Sequence, residues 1–184
     1  MKIKQKTVKL KNEKEMVLVC PVLEDAEEIA RYLNTIASQT RFISMDEKDK
    51  KADKEGEEKW IKEILANKKA LCLLAKVDGK IVGVGNIDPK RGNRIRFNHV
   101  CLIGVSVLKE YWRLGIASTL MNNLIAFAIK AGYEQIELDA VSSNEVALHI
   151  YSKLGFKEVG KLARAMKYPD GSYEDITIMQ KFLV

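Results

Sequence analysis

Two segments of this 184-residue chain carry residue types at spacings that suit binding and working on one extended ligand. The first, Val105-Ser106-Val107-Leu108-Lys109-Glu110-Tyr111-Trp112-Arg113-Leu114-Gly115-Ile116-Ala117-Ser118, reads as a strand, a short loop and the first turn of a long helix. The first N–H groups of a helix lack partners within it, and the helix dipole places partial positive charge there, so main chain alone can hold a diphosphate at such a junction. Gly115 allows close approach because it has no side chain. Ser118 can add a hydroxyl and Arg113 a counter-charge at the rim. Strand-turn-helix junctions with one glycine are common, so this segment alone is equally consistent with plain structure. The second segment runs from Asn144 to Phe156. Asn144 and Tyr151 are seven residues apart, which on a helix puts them on one face, about 10.5 Å apart along the axis. A single extended ligand can reach both. Taken singly, an N-capping asparagine and a core tyrosine explain them equally well.

Other nucleotide-binding patterns are absent. Gly83-Val84-Gly85 lies inside a strand with no helix after it, and the Gly-Lys-Ser/Thr of a phosphate-binding loop is missing. The two segments together resemble the GNAT acetyltransferase superfamily, whose coenzyme motif is Arg/Gln-x-x-Gly-x-Gly/Ala and whose next helix commonly reads Asn-x-x-Ala-x-x-x-Tyr-x-x-x-Gly-Phe. Asn144, Ala147, Tyr151, Gly155 and Phe156 match the second pattern; Gly115 and Ala117 match the first, with Trp112 in the Arg/Gln place. The resemblance covers nearly the whole chain and looks closest to the branch of ribosomal-protein N-terminal and small-amine acetyltransferases.

That resemblance implies an α+β fold with a mixed, mostly antiparallel sheet of about seven strands flanked by helices, splayed between the fourth and fifth. It implies acetyl-coenzyme A as cosubstrate, no metal, and direct acetyl transfer to a primary amine in a ternary complex. Backbone groups of Val105 and Val107 would bond the pantetheine arm and the thioester carbonyl. Arg113, Leu114, Gly115, Ile116, Ala117 and Ser118 would take the pyrophosphate and Asn144 the arm, while Tyr151 would be the acid that protonates the departing thiolate. The acceptor stays open between a small molecule and a peptide N-terminus. The alternative function is a non-catalytic acetyl-coenzyme A sensor or scaffold.

The elements that must position these residues follow from periodicity. Met16 to Val22 reads as a strand, and Asp25 to Ser38 sets Ala26, Ile29, Ala30, Leu33 and Ala37 on one helical face. Trp60, Ile61, Ile64 and Leu65 make a short amphipathic helix ending near Asn67. Residues 70–77 and 81–87 form a hairpin about Asp78-Gly79-Lys80. Residues 94–107 continue as a strand after Arg91-Gly92-Asn93 reverses the chain. A helix spans 115–131, a buried strand 136–140 and a helix 144–154. Strands at 156–166 and 174–183 flank the turn Pro169-Asp170-Gly171. No linker or repeat interrupts this order, so residues 1–184 are expected to form one domain.

Composition excludes several classes. Hydrophobic residues make up 47% and charged residues 30%, enough to bury a core. The apolar runs fall far short of the roughly 20 residues that span a bilayer, and no signal core follows the charged start, so no membrane partner and a cytoplasmic location are expected. The net charge of +6 is concentrated in the first fourteen residues and in Lys48 to Lys54, which reads as solvated surface rather than a nucleic-acid interface. Cys20, Cys72 and Cys101 sit in separate apolar runs, as buried free thiols do. His99 lies about 20 Å along a strand from Val105, and His149 is about 200° around its helix from Tyr151, so neither is a candidate base. Glu137 and Asp139 remain open for that role. A homodimer through an edge strand or the terminal hairpin fits the architecture.

Overall fold

The computed structural model describes residues 4–92 and 94–184. Met1 to Ile3, at the basic start, and Asn93, within the expected chain reversal, lie outside the described residues. One eight-stranded sheet organises them: β1 (Lys6–Lys9), β2 (Glu15–Val19), β3 (Leu71–Val77), β4 (Lys80–Pro89), β5 (Val100–Val107), β6 (Gln135–Val141), β7 (Lys157–Lys167) and β8 (Tyr173–Phe182). The spatial order is β1-β2-β3-β4-β5-β6-β8-β7, antiparallel throughout except for the parallel pair β5–β6. The strand beyond the expected number is β1. Its Lys-Thr-Val-Lys sequence pairs with the free edge of β2 and keeps its lysines in water, as edge strands do. A second difference is at residues 94–99, where Ile95–Phe97 forms a 3-10 turn and the strand starts only at Val100.

Two helices cover each face. α1 (Ala26–Gln39) and α2 (Lys54–Ala66) pack on one side through Ile29, Tyr32, Ile36, Ile61 and Ile64 against Leu74, Val84 and Leu108. α3 (Ile116–Lys130) and α4 (Glu145–Lys153) lie on the other. Ile116, Leu120, Leu124 and Phe127 of α3 meet Leu73, Ile87, Cys101, Ile103 and Ile136. β3 is buried along nearly its whole length because both faces are covered, which explains its continuous apolar run.

The glycines of β4 set the depth of α3. A Cβ on Gly85 would lie 2.9 Å from Cδ1 of Leu124, and one on Gly83 would lie 3.1 Å from Cγ2 of Ile116. Side chains at these positions would press on the α3 residues that pack there, so Gly83 and Gly85 let the helix lie close on β4.

Candidate functional site

Strands β5 and β6 pair at three positions only, Val100 with Gln135, Cys101 with Ile136 and Leu102 with Glu137. Beyond Leu102 they part, and β6 continues on its other side against β8 up to Val141. On the β4 side, Lys90 N–H donates to the Val100 carbonyl and Leu108 N–H to the Val82 carbonyl. Antiparallel pairing alternates, so even-numbered residues of β5 bond to β4. The main-chain groups of Ile103, Val105 and Val107 therefore face the gap. Both residues predicted to bond the arm, Val105 and Val107, belong to this series. One of their groups is already engaged: the indole Nε1–H of Trp112 donates to the Val107 carbonyl at 2.7 Å.

The chain leaves β5 through a 3-10 turn (Lys109–Tyr111) and enters α3 through two left-handed residues, Arg113 at φ 64° and Gly115 at φ 90°. An added Cβ at Gly115 would meet no atom within 4 Å, so within the chain it is the dihedral that requires glycine. The first bond of α3 runs from Thr119 N–H to the Gly115 carbonyl at 3.0 Å, and no side chain caps the helix. Among the described residues, no acceptor reaches the N–H groups of Leu114, Gly115, Ile116, Ala117 and Ser118. The first turn holds no acidic residue. A row of free donors at the positive end of a 15-residue helix is a cradle for an anion. Arg113 is exposed beside it.

Across the gap, Asn144 precedes α4 rather than lying in its first turn. Its φ and ψ are −84° and 67°, and its Oδ1 accepts from Ala147 N–H at 3.2 Å. Asn144 is thus the N-cap of α4, its carbonyl accepting from Leu148 N–H at 3.1 Å, and its amide NH2 is the part left for a ligand. Tyr151 is half-buried, with its ring 6.1 Å from that of Phe156, and packs on the α3-side core with Leu148 and Leu154. Burial raises its pKa above the ordinary tyrosine value. His149 is exposed.

The opposite face of the splayed strands carries polar groups that periodicity alone did not single out. Tyr32 of α1 is buried, and its hydroxyl lies 2.8 Å from Ser106 Oγ; burial pushes its pKa up to about 12. The Asn86 amide donates to Asp88 at 2.7 Å, and it lies over Gly104, where an added Cβ would come within 2.9 Å of it. Glu137 is held by Lys90 at 2.6 and 2.8 Å and by Gln180 at 3.0 Å. Asp139, two residues on and on the same face, is exposed, and its pKa is raised by desolvation first and the Glu137 charge second. Tyr32 had a readable signal, three residues from Ile29 and four from Ile36 on the buried stripe of α1. Asn86 and Asp88 had none beyond strand alternation.

An open groove of about 840 Å³ is lined by residues 37–49 at and after the end of α1, by Trp112 and by Met166 to Pro169. Its two loop walls are tied together. Tyr168 donates to the Arg41 carbonyl at 2.8 Å, the Arg41 guanidinium sits 3.9 Å from the Tyr168 ring centroid, and it donates to Ser172 Oγ at 3.2 Å. Gln39 Oε1 accepts from Lys109 N–H at 2.9 Å, which joins the end of α1 to the loop before α3. Among the described residues, no group of three or more His, Cys, Asp or Glu is placed to hold a metal, and no helix is long and apolar enough to cross a membrane.

Comparison with known proteins agrees with this architecture. The profile of the acetyltransferase (GNAT) family matches residues 29–156. An N-alpha-acetyltransferase from Sulfurisphaera tokodaii is 35% identical over 127 residues, 64% of this chain and 72% of that protein. Further curated N-acetyltransferase relatives are spanned over 39% to 66% of their own length. A GNAT-family acetyltransferase structure from Streptococcus pneumoniae superposes with a TM-score of 0.86 at 27% identity, over 91% of this chain and 99% of that one. The yncA structure from Salmonella typhimurium, solved with its cofactor acetyl-CoA, shares the fold at a TM-score of 0.81 and 20% identity, over 92% of this chain and 94% of that one.

Proposed function

This chain belongs to the acetyltransferase (GNAT) family of acetyl-coenzyme A-dependent enzymes, and from that premise we propose that it acetylates the α-amino group of a peptide or protein N-terminus in a ternary complex. The observation that carries the reading is the parting of β5 from β6 directly in front of five consecutive unpartnered N–H groups, at residues 114–118. Strand-edge donors and acceptors in the gap suit an extended amide-bearing arm, and the helix start suits a diphosphate. The site thus fits coenzyme A.

Acetyl-coenzyme A supplies the acetyl group as a thioester, already activated toward a neutral amine. Val105 and Val107 orient the arm through their main chain, with an N–H aimed where negative charge develops on the carbonyl oxygen. Residues 113–118 hold the diphosphate, and the free amide of Asn144 holds the arm from the α4 side. Tyr151, protonated at neutral pH as any phenol is, delivers its proton to the departing sulfur. Cys101 and Cys72 are buried with thiol pKa values pushed up by desolvation, which suits no nucleophile and supports direct transfer.

The proton on the acceptor amine selects its class. An α-amino group has a pKa of about 7.7–8.0 against about 10.4 for a lysine, so an appreciable fraction is neutral at physiological pH. A weak base is then enough. Glu137 is paired with Lys90 and Asp88 accepts from Asn86, so the exposed Asp139 is the carboxylate on this face assigned to take the remaining proton. The groove is open at the surface and broad enough for several residues of peptide.

The test is thiol release from acetyl-coenzyme A with three acceptors: peptides with a free N-terminus, the same peptides N-terminally blocked but containing lysine, and free amino acids. Mass spectrometry locates the acetyl group. Turnover of the first class alone is expected; turnover confined to blocked peptides or to small amines contradicts the acceptor assignment.

A further inference from the structure

Trp112 belongs to neither hydrophobic core cluster, yet its position is fixed. It is 44% exposed, so core packing does not explain it. One edge of the indole reaches the coenzyme side through the 2.7 Å bond from Nε1 to the Val107 carbonyl. Its ring lines the groove together with Phe42, Ile43, Met45, Met166 and Tyr168. The loop that carries it is tied to the groove lip by the Lys109–Gln39 bond. One side chain is therefore a wall of both halves of the site.

The electrostatics of the coenzyme side give this bond a purpose. The Val107 carbonyl faces the gap at its mouth, close in sequence to the row of N–H donors at 114–118. A free carbonyl in that gap would present its negative end to an anion held there. An indole N–H, which donates and cannot accept, removes that opposing dipole. The tryptophan acts by silencing the group that would repel the anion, and this leaves its ring free for the acceptor.

Resting on the reading of the site as a peptide N-acetyltransferase, we propose that Trp112 is a positioning residue shared by the two substrates. Its N–H caps the Val107 carbonyl for coenzyme binding, and its ring face selects acceptors whose first residue has an apolar side chain. The two roles reside in different atoms and separate by substitution. Trp112→Phe keeps the ring and loses the N–H; Trp112→Gln keeps an N–H donor and loses the ring.

The experiment measures KM for acetyl-coenzyme A and kcat/KM for two tetrapeptides, one beginning with Met and one with Gly, alongside calorimetric Kd for coenzyme A. One lost hydrogen bond corresponds to a weakening of about fivefold. Trp112→Phe is expected to raise the coenzyme Kd and KM by about that factor while keeping the Met-over-Gly preference. Trp112→Gln is expected to hold the coenzyme Kd within about twofold and to lose the preference. Identical behaviour of the two variants, or a preference that survives in Trp112→Gln, overturns the proposal. If the wild-type protein binds coenzyme A but acetylates neither peptide, the proposed acceptor fails; the calorimetric arm with Trp112→Phe then still decides the carbonyl-capping role.

Discussion

The coenzyme end of the site and the acceptor end are made of different material. Between β5 and α3 the functional groups are main-chain donors: the gap-facing edge of β5 and the N–H groups of residues 114–118. Their placement depends on a strand register, two left-handed residues and the glycines that seat α3. Across the sheet the groove is walled by side chains on the α1–α2 loop and the β7–β8 turn, held by Arg41, Tyr168 and Ser172. A main-chain site is intolerant of change in backbone geometry and indifferent to most side chains. A loop-walled site has the reverse sensitivity, and this is how one family can keep its coenzyme while the acceptor varies.

Substitutions at the two ends should therefore fail in different ways. The largest effect is expected from Tyr151→Phe, which removes the proton donor and should lower kcat by about 10²–10⁴ with coenzyme Kd nearly unchanged. A comparable rise in Kd instead would make Tyr151 a binding residue. Gly115→Val forces a branched side chain into φ 90° and into the open space above the helix start, and should weaken coenzyme A by about tenfold or more in calorimetry. Asn144→Ala strips the α4 cap, with an expected loss of about 1 kcal/mol in denaturant unfolding as well as weaker coenzyme binding. Tyr168→Phe breaks the tie to Arg41 and should raise the acceptor KM by a few fold while sparing the coenzyme KM, the reverse of Gly115→Val.

Acidity offers a further separation. The raised pKa of Asp139 means that its basic form is lost earlier as pH falls, so the acid limb of kcat/KM should sit above that of an unperturbed aspartate and should flatten in Asp139→Asn. The buried phenol of Tyr32 and thiol of Cys101, both pushed up to about 12, act on stability instead. Each stays neutral when folded but ionises near 10.0 or 9.0 when unfolded, so their contribution is complete below pH 9 and is lost as pH rises toward 12. Thermal melts across that range should show the decline.

The same contrast governs what could be read from sequence. The segments 105–118 and 144–156 were legible together, because both match GNAT patterns in order along the chain, while each taken alone reads equally well as plain structure. The edge strand Lys6–Lys9 was not, because four residues with two lysines read as solvated chain until a free edge is there to pair with. Residues 95–97 continue an apolar and charged pattern into β5, and only the chain's local turn separates them from the strand. The roles of Asn86, Asp88 and Trp112 depend on strand register, on the space over Gly104 and on a side-chain-to-carbonyl bond, none of which periodicity encodes.

The central claim is that unpartnered main-chain donors at the start of α3, together with the gap-facing edge of β5, hold coenzyme A. Titrating coenzyme A into 15N-labelled protein and following backbone amides tests it most directly. The largest shifts are predicted at Leu114 to Ser118 and at Val105 and Val107, with little change between Ser38 and Asp49. Shifts concentrated in the groove loops, with the amides of 114–118 unmoved at saturation, would contradict it.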